Sequence, residues 1–224
     1  MKAKISDVKG IPGELGRMML VDLPRIGDLM SEYYEHFRSD VLELIPASAR
    51  RFLTVGCGTA RTEQSLVEAG KSVVGIEINE EAAAVARERG IRMHIGSVED
   101  SLAKLESEEF DCLIFADVLE HLAKPEEIVA LCTQRLVRGG HVIISVPNFR
   151  HFSVFWRLFV KGDVGYEDSG IFDRTHFRLT TRRMVADWCT GAGLTVQKTS
   201  FAMNRSKRVL ATILRGFRHC CCDR

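Results

Sequence analysis

Asp117 and His121 stand four residues apart just past an apolar run, Phe110 to Ala116, so that a carboxylate and an imidazole can face one crevice. Imidazole titrates near pH ~6.5 when unperturbed, which makes His121 the first candidate for a general base. Bracing a loop or capping a helical turn is the competing use of the same side chain. A second histidine, His176, follows Asp173 by three residues in Asp173-Arg174-Thr175-His176-Phe177-Arg178. It can serve as an oriented base, with Arg174 or Arg178 binding an anionic acceptor, or the stretch can be an ion-paired hinge. Glu120 and His121 could join a divalent cation, but two ligands do not make a site, and no metal is expected.

A second group of residues points to a bound ligand. In Arg51 to Ala60, RFLTVGCGTA, an apolar β-branched run enters Gly56-Cys57-Gly58 and then a helix. Glycine suits such a turn because a Cβ would block a ligand lying against the backbone and because φ there can be positive. About twenty residues on, Ser72 to Ile76 ends in Glu77, from which a carboxylate reaches the hydroxyls of a ribose. Turn and acid together specify an adenosine-type ligand. A dinucleotide fingerprint asks for glycine at the sixth place, which is Arg61, whereas the small residue comes one step earlier at Ala60.

That G-x-G-x-small spacing, with an acid closing the next strand, resembles the first two motifs of the class I S-adenosylmethionine-dependent methyltransferases. The resemblance continues through FDCLIFADVLEHL, Phe110 to Leu122, and LVRGGHVIISVPN, Leu136 to Asn148, and covers about Tyr33 to Phe201. It implies S-adenosyl-L-methionine as cofactor, held by Gly56, Cys57 and Gly58 at the methionine part, by Glu77 at the ribose, and by Ile78, Ser97 and Val98 at the adenine. Ala116 and Asp117 would lie beside the methionine end, and Tyr33, Tyr34 and Arg38 would flank the mouth. Two positions depart from the pattern. Thr54 stands where an aspartate usually orients the cofactor's ammonium, and Ser97 where an acid usually accepts from the adenine amino group; a capping box with Asp100 is the other reading of Ser97. DRTHFR resembles a stretch in bacterial methyltransferases of the quinone, methionine-pathway-like and cell-surface sugar branches, where it lies over the active site. The implied activity is methyl transfer to a small-molecule acceptor (sugar, quinone or lipid-linked), most readily at a hydroxyl oxygen. A non-catalytic adenosyl-binding module and a nucleotide-dependent oxidoreductase are the rival readings.

The elements that must position these groups alternate. Strands at 51–55, 72–77, 91–95, 110–116 and 140–146 are separated by helices at 60–69, 79–89, 98–106 and 124–136, which predicts an α/β, Rossmann-like, doubly wound and mainly parallel sheet. Its switch point lies beside the first strand, bringing Gly56, Glu77 and Asp117 to one crevice. A helix is predicted from Ile26 to Leu44, on the stripe Leu29, Tyr33, Phe37, Val41 and Leu44. A helical cap, 148–181, follows the fifth strand. Its stripe Phe149, Phe152, Phe155, Trp156 and Phe159 can pack on the core, wall an acceptor pocket or touch a lipid chain, with Arg150, His151, Arg157 and Lys161 nearby. A helix at 181–192 and a sixth strand at 194–201 close the methyltransferase domain, 26–201.

Residues 1–25 read as a loose leader and 202–224 as a tail. Ser206 to Phe217 reads as a basic amphipathic helix in place of a seventh strand, suited to a peripheral membrane or protein contact. Cys220 to Cys222 beside it could invite lipidation in a eukaryotic setting. The bulk composition sets bounds. At 224 residues and 46% hydrophobic content one large domain with a real core is expected, and a net charge of +1 gives no global basic field for nucleic acid. The seven cysteines form no CxxC pair, and no long apolar segment or signal core occurs, so a cytoplasmic chain with free thiols is expected.

Overall fold

The structure, a computed structural model, describes residues 35, 37–105, 107–203 and 208–216, the last nine and 201–203 by their backbone alone. The expected leader, Tyr33, Tyr34 and Cys220 to Cys222 lie outside the described residues, as does most of the helix expected from Ile26. Its described part is a short turn, α1 (Ser39–Leu42), with Val41 and Leu44 buried.

The chain then alternates β1 (Arg51–Val55), α2 (Gln64–Glu68), β2 (Ser72–Glu77), α3 (Glu80–Glu88), β3 (Arg92–Ile95), α4 (Val98–Lys104), β4 (Phe110–Ala116), α5 (Pro125–Thr133) and β5 (Leu136–Pro147). After β5 come the cap helix α6 (Phe152–Phe155), continued by π-helical turns over Trp156–Lys161, then α7 (Arg182–Gly191), β6 (Leu194–Met203) and β7 (Arg208–Gly216). The sheet order is β3-β2-β1-β4-β5-β7-β6, with β1 to β5 parallel. Chain direction across the sheet reverses between β1 and β4, which is the predicted switch point.

The strands are apolar on both faces because both are covered. Leu53, Val55, Val74, Ile76, Leu113, Phe115, Val142 and Ile144 pack with α4, α5 and α7 residues such as Leu102, Val129, Val185 and Cys189. The alternate residues Phe52, Val73, Cys112, Ile114 and Ile143 pack on the other face with Val41, Leu44, Leu66, Ala83 and Ala86. Burying both sets is what fixes the register of a parallel sheet, since a slip by one residue would exchange the two faces.

Three sequence expectations need correction. The seventh strand is present: Arg208–Gly216 is no amphipathic helix but pairs antiparallel with β5 on one side and β6 on the other. The run Val209 to Leu214 is apolar but for Thr212, and an interior strand of that kind cannot be told from a helix by periodicity alone. The helix expected from residue 60 begins at Gln64, because Ala60 takes φ 57° and belongs to the turn. The fifth strand is longer than expected, starting at Leu136 and shifting register between Phe110 and Cys112 of β4, so Arg138-Gly139-Gly140 is an irregular stretch of strand rather than a loop.

Candidate active site

The glycine turn is pinned from two sides. Gly56, at φ 66°, donates its N–H to Ile76 O at 2.8 Å, and a Cβ there would come within 2.5 Å of Val118 Cγ2. Only glycine allows the turn after β1 to touch the loop after β4 so closely. Glu77, at the end of β2, accepts from Gly58 N at 2.8 Å through Oε2, and from Ile78 N at 2.9 Å and Asn79 N at 3.0 Å through Oε1. One buried carboxylate therefore ties the turn to the mouth of the second strand. Cys57 places its Sγ 3.9 Å from Met93 Sδ; burial, then the charges of Glu63 and Glu77, push its thiol well up, so it is poorly suited to act as a nucleophile.

Thr54, the first departure from the expected motif, donates its Oγ1–H to Glu63 Oε1 at 2.8 Å, and Glu63 is 4% exposed. A carboxylate thus stands beside the position that lacks one, delivered from nine residues downstream. Sequence reading missed Glu63, although a threonine at Thr54 was itself the cue to look for an acid in the following turn. Burial pushes the Glu63 carboxyl above its ordinary value of 4.5. The folded chain therefore binds that proton more tightly than the unfolded one, so the stabilisation is complete below the ordinary value and is lost as pH rises through the raised one. Glu63→Gln should flatten that part of a plot of thermal midpoint against pH, gaining on the wild type toward alkaline pH; parallel curves would show that Glu63 is not the titrating group.

At the end of β3, Ser97 caps α4: its Oγ accepts from Asp100 N at 3.1 Å and donates to Asp100 Oδ2 at 2.8 Å. The capping reading thus describes the side chain. Val98 is buried, and Ile78 is 77% exposed.

Ala116 ends β4, and Asp117 follows at φ 54°. A left-handed aspartate is uncommon and turns the carboxylate back toward the sheet. There Asp117 pairs with Arg38 and accepts from Ser145 Oγ at 3.1 Å. Arg38, 8% exposed, also holds Asp40 at 2.8 Å and Ser145 Oγ at 2.7 Å, while its N–H donates to Thr62 Oγ1 at 3.0 Å. Burial works against the guanidinium charge, but Asp40 and Asp117 more than offset it and hold the group charged. So held, Asp117 ties the loop after β4 to Arg38 and to Ser145 of β5.

His121 ends a 3-10 turn, Leu119–His121, and its ring meets that of His176 edge-on at 4.8 Å. The two histidines that the sequence separates by a cap are thus neighbours. The clip between them is backbone: Phe177 N and Arg178 N both donate to Glu120 O, at 2.9 and 3.1 Å. Asp173 acts on the His176 ring as a nearby negative charge rather than through a described side-chain hydrogen bond. Its Oδ1 accepts from Thr175 N at 2.8 Å and Thr175 Oγ1 at 2.6 Å, while His176 Nδ1 lies 3.4 Å from Ile171 O. Burial and the adjacent His121 ring hold His176 below the ordinary imidazole value, hence neutral at neutral pH. Arg174 pairs with Asp168 and Arg178 with Ala123 O, so both cations have protein partners.

The profile of a family described as methionine biosynthesis protein MetW matches residues 35–215. The chain belongs to this family. Among curated proteins it is similar to the ubiquinone biosynthesis O-methyltransferase of Hydrogenovibrio crunogenus, 29% identical over 148 residues, which covers 63% of this chain and 58% of that protein. The protein of the same description from Xylella fastidiosa is 33% identical over 140 residues, 55% of this chain and 56% of that one. The chain thus spans about half the length of the curated relatives it matches. Among solved structures, a SAM-dependent methyltransferase from Archaeoglobus fulgidus superposes with TM-score 0.65 at 16% identity, covering 85% of this chain and 99% of that one. Magnesium protoporphyrin IX methyltransferase from Synechocystis, with bound SAH, gives TM-score 0.60 at 13% identity over 84% of this chain and 82% of that one. The fold is that of the class I methyltransferases.

In this member of the MetW family the cap presents four of the five aromatic residues of its stripe outward, while Phe149 packs edge-on against Phe172 at 5.8 Å. Phe152, Phe155, Trp156 and Phe159 are 67, 53, 45 and 75% exposed, and their ring centroids lie 5.2 to 6.3 Å apart, stacked for Phe152 and Phe155 and tilted for the other pairs. Packing on the core is therefore not their role. The base of the cap is held by Arg157, which lies 4.3 Å over the Phe172 ring and pairs with Glu167 at 2.5 Å. No helix among the described residues is long and apolar enough to cross a membrane.

Proposed function

We propose that this chain transfers the methyl group of S-adenosylmethionine to a hydroxyl oxygen of a small-molecule acceptor. The observation that carries the reading is Glu77, a buried carboxylate that closes β2 and ties down the glycine turn at the switch point of the sheet. Oxygen is favoured as the receiving atom because the curated relatives carry the description O-methyltransferase. The exposed aromatic cap favours a flat or lipid-linked acceptor, such as a quinone precursor, over a free sugar.

In this reading Gly56, Cys57 and Gly58 offer backbone groups to the methionine part, Glu77 takes the ribose hydroxyls, and Ile78, Ser97 and Val98 border the adenine. Glu63 supplies the carboxylate for the ammonium that Thr54 does not provide. Ala116 and Asp117 flank the sulfonium, and His121, with His176 beside it, faces the acceptor. The transfer is an in-line displacement. The C–S bond breaks with its electron pair left on sulfur, the acceptor oxygen forms the new C–O bond, and the hydroxyl proton passes to His121. The leaving thioether is neutral and needs no acid.

The test is calorimetric titration of the full chain with S-adenosylmethionine, S-adenosylhomocysteine and methylthioadenosine. Micromolar-range binding of the first two is expected. Glu63→Gln should weaken them by about tenfold, the worth of one charge-assisted hydrogen bond, while leaving methylthioadenosine, which has no ammonium, unaffected. Absence of binding by all three would overturn the reading.

A further inference from the structure

Glu120, His121 and His176 form a cluster whose donor atoms all lie within 4.8 Å of one another. Two of the three come from the 3-10 turn after β4 and the third from the cap, so the cluster exists only because the cap folds back over the crevice. The Glu120 side chain is 1% exposed, with Oε1 4.0 Å from His176 Nε2, which is beyond hydrogen-bonding reach.

The outer hydrogen bonds set which ring nitrogens face inward. Thr175 Oγ1 donates to Asp173 at 2.6 Å, so what it presents to His121 Nδ1 at 3.1 Å is a lone pair. The Ile171 carbonyl near His176 Nδ1 can only accept. In the neutral form of each ring these contacts favour the proton on Nδ1 and leave the lone pair on Nε2. Neutral imidazoles fixed through Nδ1–H by an outer oxygen are how metal-binding histidines are oriented. Asp117 stays outside the set because Arg38 already neutralises it.

We propose that Glu120, His121 and His176 bind one divalent first-row transition-metal cation at the acceptor end of the crevice, leaving open positions for an acceptor oxygen. A two-histidine, one-carboxylate set is a known donor chemistry for such ions, and metal–ligand distances of about 2.0–2.2 Å require the three side chains to draw inward from their present separation. The role of the ion in turnover rests on the methyl-transfer reading; its binding does not. The His121 lone pair either accepts a proton or holds the ion, so in the loaded protein the ion takes over the task of the base. Held by Glu120, His121 and His176, such an ion would act as a Lewis acid that lowers the pKa of an acceptor hydroxyl, whose proton would pass to solvent as the new C–O bond forms and the C–S bond breaks toward sulfur.

The full chain, stripped with a chelator, is titrated with Mn(II), followed by electron paramagnetic resonance of the free ion, and with Co(II), followed by visible absorption. Mn(II) discriminates against the cysteine thiolates, and Co(II) binds nitrogen and oxygen donors more tightly. One ion per chain is expected, weakened about tenfold or more by His121→Ala and by His176→Ala and unchanged by His94→Ala, an outlying histidine on β3. Circular dichroism confirms that the variants fold. No binding of either ion, or binding that both site variants leave intact, overturns the proposal. Calorimetric binding of S-adenosylmethionine by the same stripped sample separates the two readings: its loss with metal binding intact removes methyl transfer and leaves the cation site.

Discussion

Glu77→Ala is expected to weaken S-adenosylmethionine binding by about a hundredfold or more. Two ribose hydroxyls donating to one ionised carboxylate are worth roughly 1.5–3 kcal/mol each, so even the lower value for both gives about two orders of magnitude. The same side chain also holds Gly58 N, Ile78 N and Asn79 N. Truncation leaves those three amides without their acceptor and frees the turn that should receive the methionine part. Glu77→Gln separates the two roles, since its single carbonyl oxygen can keep part of the amide cluster but has no charge for the ribose. Calorimetry on both variants is the check. Affinity within a few-fold of wild type for the alanine variant would mean that the nucleoside does not lie against β2.

Removal of Arg38 should give the largest loss of stability. Arg38→Ala is expected to cost about 3–5 kcal/mol, because a buried cation bound to Asp40, Asp117 and Ser145 is deleted while Asp117 stays in its strained left-handed conformation. For a domain of this size that is a fall in thermal midpoint of about 10 °C. Adding Asp117→Asn removes the orphaned charge and should restore part of the loss. A double variant as unstable as the sum of the two singles would show that the two residues are not coupled.

The parallel strands were readable because a strand buried on both faces writes an unbroken apolar run, and the turn because Gly56, Gly58 and Glu77 are required by backbone geometry and ligand chemistry together. Pairings made across long sequence separations were not readable. Arg38 was singled out as a contact at the mouth, yet nothing local says that it reaches Asp117 and Ser145. The partnership of His121 with His176 depends on a cap whose backbone clips onto Glu120 O. Glu63 compensates for Thr54 only once the turn after β1 brings them together. Reading β7 as a helix failed for a different reason: Arg205, Lys207, Arg208, Arg215 and Arg218 around an apolar stretch mimic an amphipathic pattern.

The insertion of β7 between β5 and β6 also constrains how the chain can be assembled. Of the described strands it is the last to leave the ribosome, yet its place lies between two that are already synthesised. Until it arrives, β5 offers an open edge to solvent or to β6, and a direct β5–β6 pairing would have to be broken again. The nascent chain is therefore most exposed to misassembly between the emergence of β6 and that of β7, and the sheet can be completed only once β7 has emerged.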